Sequence, residues 1–250
     1  MLTTLKSKKI IDSHHALFIL EGKEIASEAL PGQFVEVRVA EGSYPLMRKP
    51  LSIFCTEGDL FGLLVKTDSY GTKIMLRWEL GEKIDIIGPL GQGFRFSEED
   101  DEFILVAGGI GVASLNMLAQ QLLKKRKKVH LLFAPRRDDH ILKSLTATDG
   151  LNISITENRK TVAEDLKKLI SSLNRPCGVY SCGPGAFLKC ITETASACGL
   201  RTYVSLETRM SCGMGACMGC VVPIRQGEEI VYKTTCQDGP VFLGEEVVFE

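Results

Sequence analysis

The stretch FILVAGGIGVASL, residues 103–115, joins an apolar strand to a glycine-rich turn and to the start of a helix. Gly108, Gly109 and Gly111 let the backbone come close to a pyrophosphate, and the amino end of the helix offers unpaired N–H groups and a partial positive charge. The match to G-x-G-x-x-G is loose, because Ser114 stands where a third glycine is usual. Taken alone, the turn is also consistent with simple packing in an α/β protein.

Strand-like and helix-like segments alternate around this turn from residue 99 to residue 206. Strands are predicted at 103–107, 129–134, 151–156, 178–182 and 202–207, and helices at 113–128, 161–173 and 186–197. This order predicts an α/β domain with a mostly parallel sheet that is covered on both faces.

A second turn, SCGPG at 181–185, ends a later strand and opens another helix. Both turns are expected at the carboxyl edge of one sheet, which is where ligands of such folds bind. Cys182, Gly183 and Pro184 are therefore candidate nucleotide contacts. The alternative for Cys182 is a small residue at a crowded turn.

Residues 1–98 read as an antiparallel β-barrel. Short runs rich in β-branched and aromatic residues are separated by the turn signals PG, EG, YG and LG at fairly regular intervals. The runs are FVEVRV (34–39), LSIF (51–54), LFGLLVK (60–66) and KIDIIG (83–88). Such spacing is typical of a small barrel or sandwich.

The barrel contains one segment with the chemistry of a phosphate site, MRKPLS at 47–52. Arg48 and Lys49 precede the hydroxyl of Ser52, and cations followed by a hydroxyl suit a phosphate-bearing ligand that lies along a strand. LVK (64–66), SYGT (69–72) and GPLGQGF (88–94) follow, and their small residues let a ring system approach the backbone. A solvated basic dipeptide is the plainer alternative.

The last segment, 207–250, is too short to bury a core of its own. Its stretch SCGMGACMGC (211–220) contains three cysteines in the spacing C-x4-C-x2-C, and Cys236 follows after fifteen intervening residues. This is the spacing of plant-type [2Fe–2S] ferredoxins, whereas zinc sites usually show two paired knuckles. Small residues between the thiols let backbone N–H groups point at the cluster sulfurs. We predict a [2Fe–2S] cluster held by Cys212, Cys217, Cys220 and Cys236, with zinc or free thiols as alternatives.

Composition limits the partners and the compartment. The 30 Lys and Arg nearly balance the 31 Asp and Glu, so no global field favours nucleic acid or an anionic membrane. No stretch approaches the ~20 apolar residues of a membrane span, and the first residues contain no signal-peptide core. Clustered cysteines in a reducing compartment more often hold metal or do redox work than form disulfides. We expect a cytoplasmic protein.

The order of these three parts resembles the ferredoxin–NADP reductase superfamily over almost the whole chain. The stretch SLETRMSCGMGACMGCVVP (205–223), with CQDGPVF (236–242) and PGQFVEV (31–37), is similar to a narrower family. That family is the electron-transfer subunits of two-subunit, NAD-dependent dihydroorotate dehydrogenases of pyrimidine biosynthesis.

The resemblance implies three domains, 1–98 for FAD, 99–206 for NAD and 207–250 for the cluster. The FAD contacts that it implies are Lys49, Pro50, Leu51, Ser52, Leu64, Val65, Lys66, Gly71 and Thr72. The superfamily usually has Arg where Lys49 stands, and Arg is the better bidentate fork for phosphate. Either Lys49 acts as a point charge or Arg48 takes over.

The resemblance also implies a function. A partner subunit with FMN oxidises dihydroorotate, and its electrons pass through the cluster and FAD to NAD⁺, within a heterotetramer of two subunits of each kind. The hard chemistry belongs to the cofactors, so we nominate no acid–base residue and no dihydroorotate site on this chain. Met210, Met214 and Met218 either form an apolar rim for the partner or pack inward.

Two rival functions share some of these features. The nearer is the reductase subunit of a hydrogenase or of a ferredoxin:NAD(P) transhydrogenase. The farther is a zinc-stapled nucleotide-binding module without enzymatic activity. Nucleotide preference is open locally, because Arg136 and Arg137 could meet a 2′-phosphate while Asp138 and Asp139 stand beside them. The family resemblance favours NAD.

Overall fold

The structure is a computed structural model. It describes residues 1–42, 44–136, 140–145, 149–157, 161–173 and 178–249. Arg137, Asp138 and Asp139 lie outside the described residues. Within the described part of the chain, no helix is long and apolar enough to cross a membrane.

The first part of the chain forms a seven-stranded antiparallel sheet. Its strands are β1 (Leu2–Ile10), β2 (His15–Glu21), β3 (Phe34–Val37), β4 (Lys49–Ser52), β5 (Cys55–Glu57), β6 (Leu60–Lys66) and β7 (Lys83–Leu90), in the spatial order β4-β3-β7-β1-β2-β6-β5. The predicted antiparallel domain is confirmed. Among the described strands no ladder joins β4 to β5, so the barrel is open at that seam.

Two short helices accompany this sheet, α1 (Lys23–Glu28) and α2 (Tyr70–Met75). We read YG at 70–71 as a turn signal, and that reading was wrong. Ser69 accepts a hydrogen bond from the Thr72 N–H (3.3 Å), and the Ser69 N–H donates to Thr72 Oγ1 (3.2 Å). This capping box starts a helix directly at Tyr70, so the glycine there lies within a helix.

The middle of the chain forms a six-stranded sheet in the order β10-β9-β8-β11-β12-β15. Its strands are β8 (Glu102–Gly108), β9 (Lys128–Ala134), β10 (Leu151–Ile155), β11 (Val179–Cys182), β12 (Thr202–Ser205) and β15 (Val241–Leu243). All neighbours pair in parallel except β12 and β15. The mostly parallel sheet is therefore confirmed.

Helices cover both faces of this sheet, as predicted. One face packs on α3 (Val112–Lys124), together with Phe54, Leu64 and Phe94 from the first domain. The other face packs on α4 (Val162–Ser172) and α5 (Gly185–Ala197). Every residue of β8 is buried, as expected for a central strand that is covered twice.

Helix α3 ends four residues before the predicted boundary at 128. The Lys127 N–H donates to Leu122 O and the Arg126 N–H to Leu123 O, while Arg126 takes a φ of 59°. These are the bonds of a Schellman motif, which usually ends on glycine. Because arginine at that position does not indicate the end of a helix, the predicted helix extended to residue 128, where β9 begins.

The C-terminal segment contributes the hairpin β13 (Val221–Gln226) and β14 (Glu229–Thr234). Strand β15, which follows, adds an antiparallel edge to the sheet of the middle domain. The segment therefore shares one of its strands with its neighbour, and the proposed boundaries at 98 and 206 stay predictions.

Candidate functional site

The two glycine-rich turns lie against each other at the carboxyl edge of the parallel sheet. Strands β8 and β11 are paired, with Ala107 opposite Cys182. A Cβ placed on Gly111 would overlap the Cys182 carbonyl oxygen and come within 3.0 Å of the Gly183 nitrogen. Only glycine fits at 111 in this packing, because any side chain would push the turns apart.

A cavity of about 180 Å³ opens over these turns. The described residues that line it include the predicted Gly108, Gly109, Gly183 and Pro184, together with Arg136 after β9. The barrel supplies the opposite wall through His14, His15, Lys66 and Asp68. We call this cavity the nucleotide crevice.

The barrel wall of the nucleotide crevice carries a chain of polar contacts. Asp68 forms an ion pair with Lys66, with Lys66 Nζ 2.8 Å from one carboxylate oxygen. Its other carboxylate oxygen is hydrogen-bonded to His14 Nδ1 at 2.7 Å. The hydrogen bonds from Lys66 and His14 hold the pKa of Asp68 well below its usual range. Our sequence analysis assigned Lys66 to FAD and did not single out His14 or Asp68, which carry no motif.

A second cavity, of about 300 Å³, adjoins the first, and we call it the flavin cleft. Six predicted FAD contacts line it, namely Pro50, Leu51, Ser52, Leu64, Val65 and Lys66. Gly111 and Cys182 line it from the middle domain. Lys66, Ile110 and Glu207 line both cavities, so the two spaces share a wall.

The other three predicted FAD contacts lie outside the lining of this cleft. A Cβ placed on Gly71 would lie 2.5 Å from Lys49 Cε, so the lysine side chain crosses the start of α2 at Gly71 and would have to shift if residue 71 carried a side chain. Thr72 is buried and caps the same helix. Arg48 instead donates to the Asp85 backbone carbonyl (2.9 Å) and to its carboxylate. Lys49 is therefore the cation that the structure leaves beside Gly71.

Glu207 is a site residue that our sequence analysis missed. It stands just after β12 and lines both cavities. The residue is exposed to the open space of these cavities, but the protein atoms crowded around its carboxyl remove part of its hydration and raise its pKa. Cys182 lies opposite in the flavin cleft, where burial raises the pKa of its thiol to about 12. The only sequence signal for Glu207 was its position at the carboxyl end of a predicted strand.

The four clustered cysteines come together at the end of the molecule next to the flavin cleft. Backbone N–H groups point at their sulfurs: Met214 and Cys217 donate to Cys212 Sγ (3.5 and 3.4 Å), Gly219 to Cys217 Sγ (3.4 Å) and Gly215 to Cys236 Sγ (3.1 Å). Gly213 and Gly215 have φ values of 70° and 82°, which lets the loop wrap the thiols. N–H donors of this kind stabilise charge on sulfur.

The thiols form two neighbouring pairs, Cys212 with Cys217 and Cys220 with Cys236. Hydrogen bonds from the Met214 and Cys217 amides lower the pKa of Cys212 to about 7, while burial raises that of Cys236 to about 11. Among the described residues, no three Cys, His or carboxylate side chains converge as ligands of one ion would. Two thiol pairs with N–H donors fit a two-iron cluster better than a single zinc.

Strand β3 forms the floor beneath these cysteines. Phe34 packs on Cys220 and Cys236, and Glu36 lies under Gly213. The Glu36 side chain is fully buried and its two oxygens have no hydrogen-bond partner among the described residues. Burial raises the pKa of Glu36 to about 7.

The fold and the three adjoining sites define a pyridine-nucleotide reductase with a flavin domain and an iron–sulfur domain. Solved structures support this class. A chain of the NADH-dependent reduced ferredoxin–NADP oxidoreductase superposes with a TM-score of 0.83 and 27% identity, covering 100% of this chain and 90% of that one. Phthalate dioxygenase reductase superposes with a TM-score of 0.64 and 20% identity, covering 94% and 76%.

Sequence comparison narrows the class. Residues 207–248 match the iron–sulfur cluster binding domain of dihydroorotate dehydrogenase B, and residues 89–203 match the N-terminal domain of the dimethylamine monooxygenase subunit DmmA-like family. The dihydroorotate dehydrogenase B (NAD(+)) electron transfer subunits of Shouchella clausii and Geobacillus kaustophilus are each 34% identical. They cover 99% and 98% of this chain, and 97% of each relative is covered. This chain belongs to the family of dihydroorotate dehydrogenase B electron transfer subunits.

Proposed function

We propose that this chain carries electrons from a dihydroorotate-oxidising, FMN-containing subunit through a [2Fe–2S] cluster and FAD to NAD⁺. The observation that carries the proposal is the position of the flavin cleft. It shares Lys66 and Glu207 with the nucleotide crevice on one side. On the other side it is lined by Phe34 and Met210, which pack on the cluster cysteines.

The chemistry comes from the bound groups: a flavin exchanges two electrons with a nicotinamide and single electrons with an iron–sulfur cluster. The chain's own residues hold the groups and exclude water from between them. For FAD these residues are Lys49, Pro50, Leu51, Ser52, Leu64, Val65, Lys66, Gly71 and Thr72. Lys49 acts as the point charge for phosphate, because Arg48 is engaged by Asp85.

The nucleotide is held by the two turns that contain Gly108, Gly109, Gly111, Cys182, Gly183 and Pro184; Gly111 and Cys182 face the flavin cleft, and the other four line the nucleotide crevice. The turn after β8 offers its backbone N–H groups to the pyrophosphate. On the opposite wall, Lys66 is fixed by Asp68 and supplies a positive charge in a defined position. The raised pKa of Cys182 keeps its thiol neutral beside the flavin, so it packs there as a small, unreactive group.

The cluster is held by Cys212, Cys217, Cys220 and Cys236. The first pair is partly open to solvent, whereas Cys220 and Cys236 are 3% exposed. The open pair therefore faces outward, where a partner brings electrons, and the buried pair faces the flavin cleft.

The partner docks over the outward pair. Met214 and Met218 are each 54% exposed beside it, while Met210 packs inward against the flavin cleft. Flexible thioether side chains suit an apolar interface. Replacing Met218 by Asp should weaken binding of the catalytic subunit and leave the cluster spectrum unchanged. Leu80→Asp is the matched control, since Leu80 is exposed and lies before β7 at the end remote from the cluster.

The assembly that we propose is a heterotetramer with two copies of each subunit, in the cytoplasm. The eight described cysteines are all free thiols, as suits a reducing compartment. Mass measurement of the copurified complex tests the stoichiometry directly.

Co-expression with a candidate catalytic subunit tests the function itself. The complex should reduce NAD⁺ when dihydroorotate is added, and each subunit alone should not. Copurification with a hydrogenase or a ferredoxin-dependent subunit, and no activity with dihydroorotate, would favour the rival reductase function. The structural likeness to a chain of the ferredoxin–NADP oxidoreductase is the observation that favours this second function.

A further inference from the structure

The outer face of β3 lies between the flavin cleft and the cluster cysteines. Side chains alternate along a strand, and Val35 and Val37 belong to the barrel core. Phe34 and Glu36 point the other way, toward the C-terminal segment. The strand is thus a wall with the barrel core on one side and the cluster segment on the other.

Phe34 contacts both functional sites at once. It is 4% exposed, packs on Cys220 and Cys236, and lines the flavin cleft. In the sheet it stands directly opposite Ser52, another residue of that cleft. The Phe34 ring, together with the Met210 side chain, therefore separates the buried thiol pair from the space assigned to the flavin.

Phe34 is also held firmly. Strand β3 is paired on both sides, with β4 and with β7. A Cβ placed on Gly91 would lie 3.1 Å from Phe34 Cε1, so glycine at 91 leaves just enough room for the ring. The ring therefore sits in one closely packed position.

Two other residues line the cleft near the cysteines, Met210 and Pro240. Both lie outside the helices and strands of the described structure, and Met210 is only partly buried. Pro240 is held by an isolated β-bridge to Gln92, whereas Met210 belongs to no ladder or bridge of the described structure. Phe34 is the aromatic residue of the three, and its strand is paired on both sides.

We propose that Phe34 is the positioning residue that sets the rate of single-electron transfer between the cluster and the flavin. This inference rests on the proposed function. The ring fixes the width of the gap and fills it with tightly packed atoms. Transfer slows steeply when such a gap widens or is left partly empty.

The electrons balance in either direction. NADH gives a hydride, which is two electrons and one proton, to the oxidised flavin, and NAD⁺ leaves. The reduced flavin would then pass one electron across Phe34 to the oxidised cluster, which accepts one electron at a time, and would keep the other. In the physiological direction the cluster, reduced by the partner, would pass two electrons one at a time to the flavin, which would take up one proton from solvent and return the two electrons and that proton to NAD⁺ as a hydride.

The test is anaerobic stopped-flow reduction by NADH of the full chain carrying FAD and cluster. The bleaching of flavin and the bleaching of cluster are followed at separate wavelengths. In Phe34→Leu, flavin reduction by NADH should keep its rate while cluster reduction slows by about tenfold, equivalent to about 1.4 kcal/mol. The midpoint potentials of both groups should not move, because the ring contributes no charge. Phe61→Leu is the matched control, since Phe61 is equally buried in the barrel core and does not line the cleft.

Three outcomes are decisive. Cluster reduction at the unmodified rate in Phe34→Leu, with both groups bound, would overturn the inference, as would equal slowing of the flavin and cluster steps. If Phe34→Leu loses flavin, Phe34→Met is measured against the same criteria. An unmodified chain that binds neither FAD nor a cluster contradicts the proposed function itself.

Discussion

The middle domain and the C-terminal segment are stabilised in different ways. The middle domain encloses its sheet between α3 on one face and α4 and α5 on the other, with an extended apolar core on each side. The described core at the cluster consists of Phe34, Cys220 and Cys236, and Phe34 belongs to the barrel. The middle domain is therefore stabilised by apolar burial. The end of the C-terminal segment shares that core through Phe242, Val247 and Phe249, whereas we expect the part around the cysteines to depend on what its thiols bind.

Replacing a buried cysteine that we propose as a cluster ligand should have the largest effect, and this effect should be confined to the C-terminal segment. We expect Cys220→Ser to lose the cluster and to unfold residues 211–238, while the parallel sheet stays intact. Amide exchange in that segment should accelerate by about 100-fold, equivalent to about 3 kcal/mol of local opening free energy. Hydrogen-exchange mass spectrometry measures both regions in one experiment.

Cys198→Ser is the control for this prediction, because Cys198 is exposed at the end of α5. Unchanged exchange in the segment after Cys220→Ser would show that the segment folds without its cofactor.

A substitution at the glycine-rich turn after β8 should destabilise the middle domain. Gly111→Ala forces a methyl group into the Cys182 carbonyl and should cost about 3 kcal/mol in the free energy of unfolding. Thermal denaturation measures the loss, and NADH binding should weaken in parallel. Gly185→Ala is the control, since a Cβ there meets no atom within 4 Å. Equal stability of the two variants would contradict the packing of the two turns.

Much of the fold could be predicted because the spacing of apolar residues along the sequence indicates strands in the first domain and alternating strands and helices in the middle domain. Strand β9, strand β10 and helix α4 fall within a residue or two of their predicted bounds, since runs of apolar residues end at polar ones. The Schellman end of α3 was missed because it uses Arg126 in place of glycine. Strand β15 was missed because three residues carry no periodic signal.

The candidate site was predicted where a motif marks it and missed where only geometry does. The cysteine spacing and the glycine turns are readable from the sequence, and the structure places the two sets on opposite sides of the flavin cleft. Phe34 and Glu207 look ordinary in the sequence. Phe34 lies between the flavin cleft and the cluster cysteines, and Glu207 lies between the two cavities, because of how distant parts of the chain pair in the fold. The roles of the individual site residues stay predictions.

A substitution in the barrel wall of the nucleotide crevice should have a smaller effect, and this effect is on NADH binding rather than on folding. We expect Asp68→Asn to raise the KM for NADH by about fivefold. Lys66 and His14 would no longer be held in place by the Asp68 carboxylate, and the loss of their fixed positions should cost about 1 kcal/mol of NADH binding free energy. The kcat for reduction of an artificial acceptor by NADH should hardly change. Glu21→Gln is the matched control, because Glu21 pairs with Lys6 on the exposed barrel surface. The same rise in KM in both variants would argue against a role for Asp68.

The smallest effect concerns thiol reactivity. The pKa of Cys182 is raised to about 12, so its thiol stays protonated below that pH, and the thiolate is the reactive form. Iodoacetamide at pH 8 should therefore leave Cys182 unmodified while it labels the exposed Cys198, as read by peptide mass spectrometry. Rapid labelling of Cys182 would show that the flavin cleft is more open than its packing indicates.

The central claim is that one chain holds a flavin between a nucleotide crevice and a two-iron cluster. The most direct test is an anaerobic visible spectrum of the purified chain, with iron, sulfide, zinc and flavin assays, before and after NADH is added. We predict flavin bands over a broad cluster absorbance, roughly two iron and two sulfide per chain, and bleaching of both chromophores by NADH. A colourless protein with stoichiometric zinc and no flavin would contradict the account.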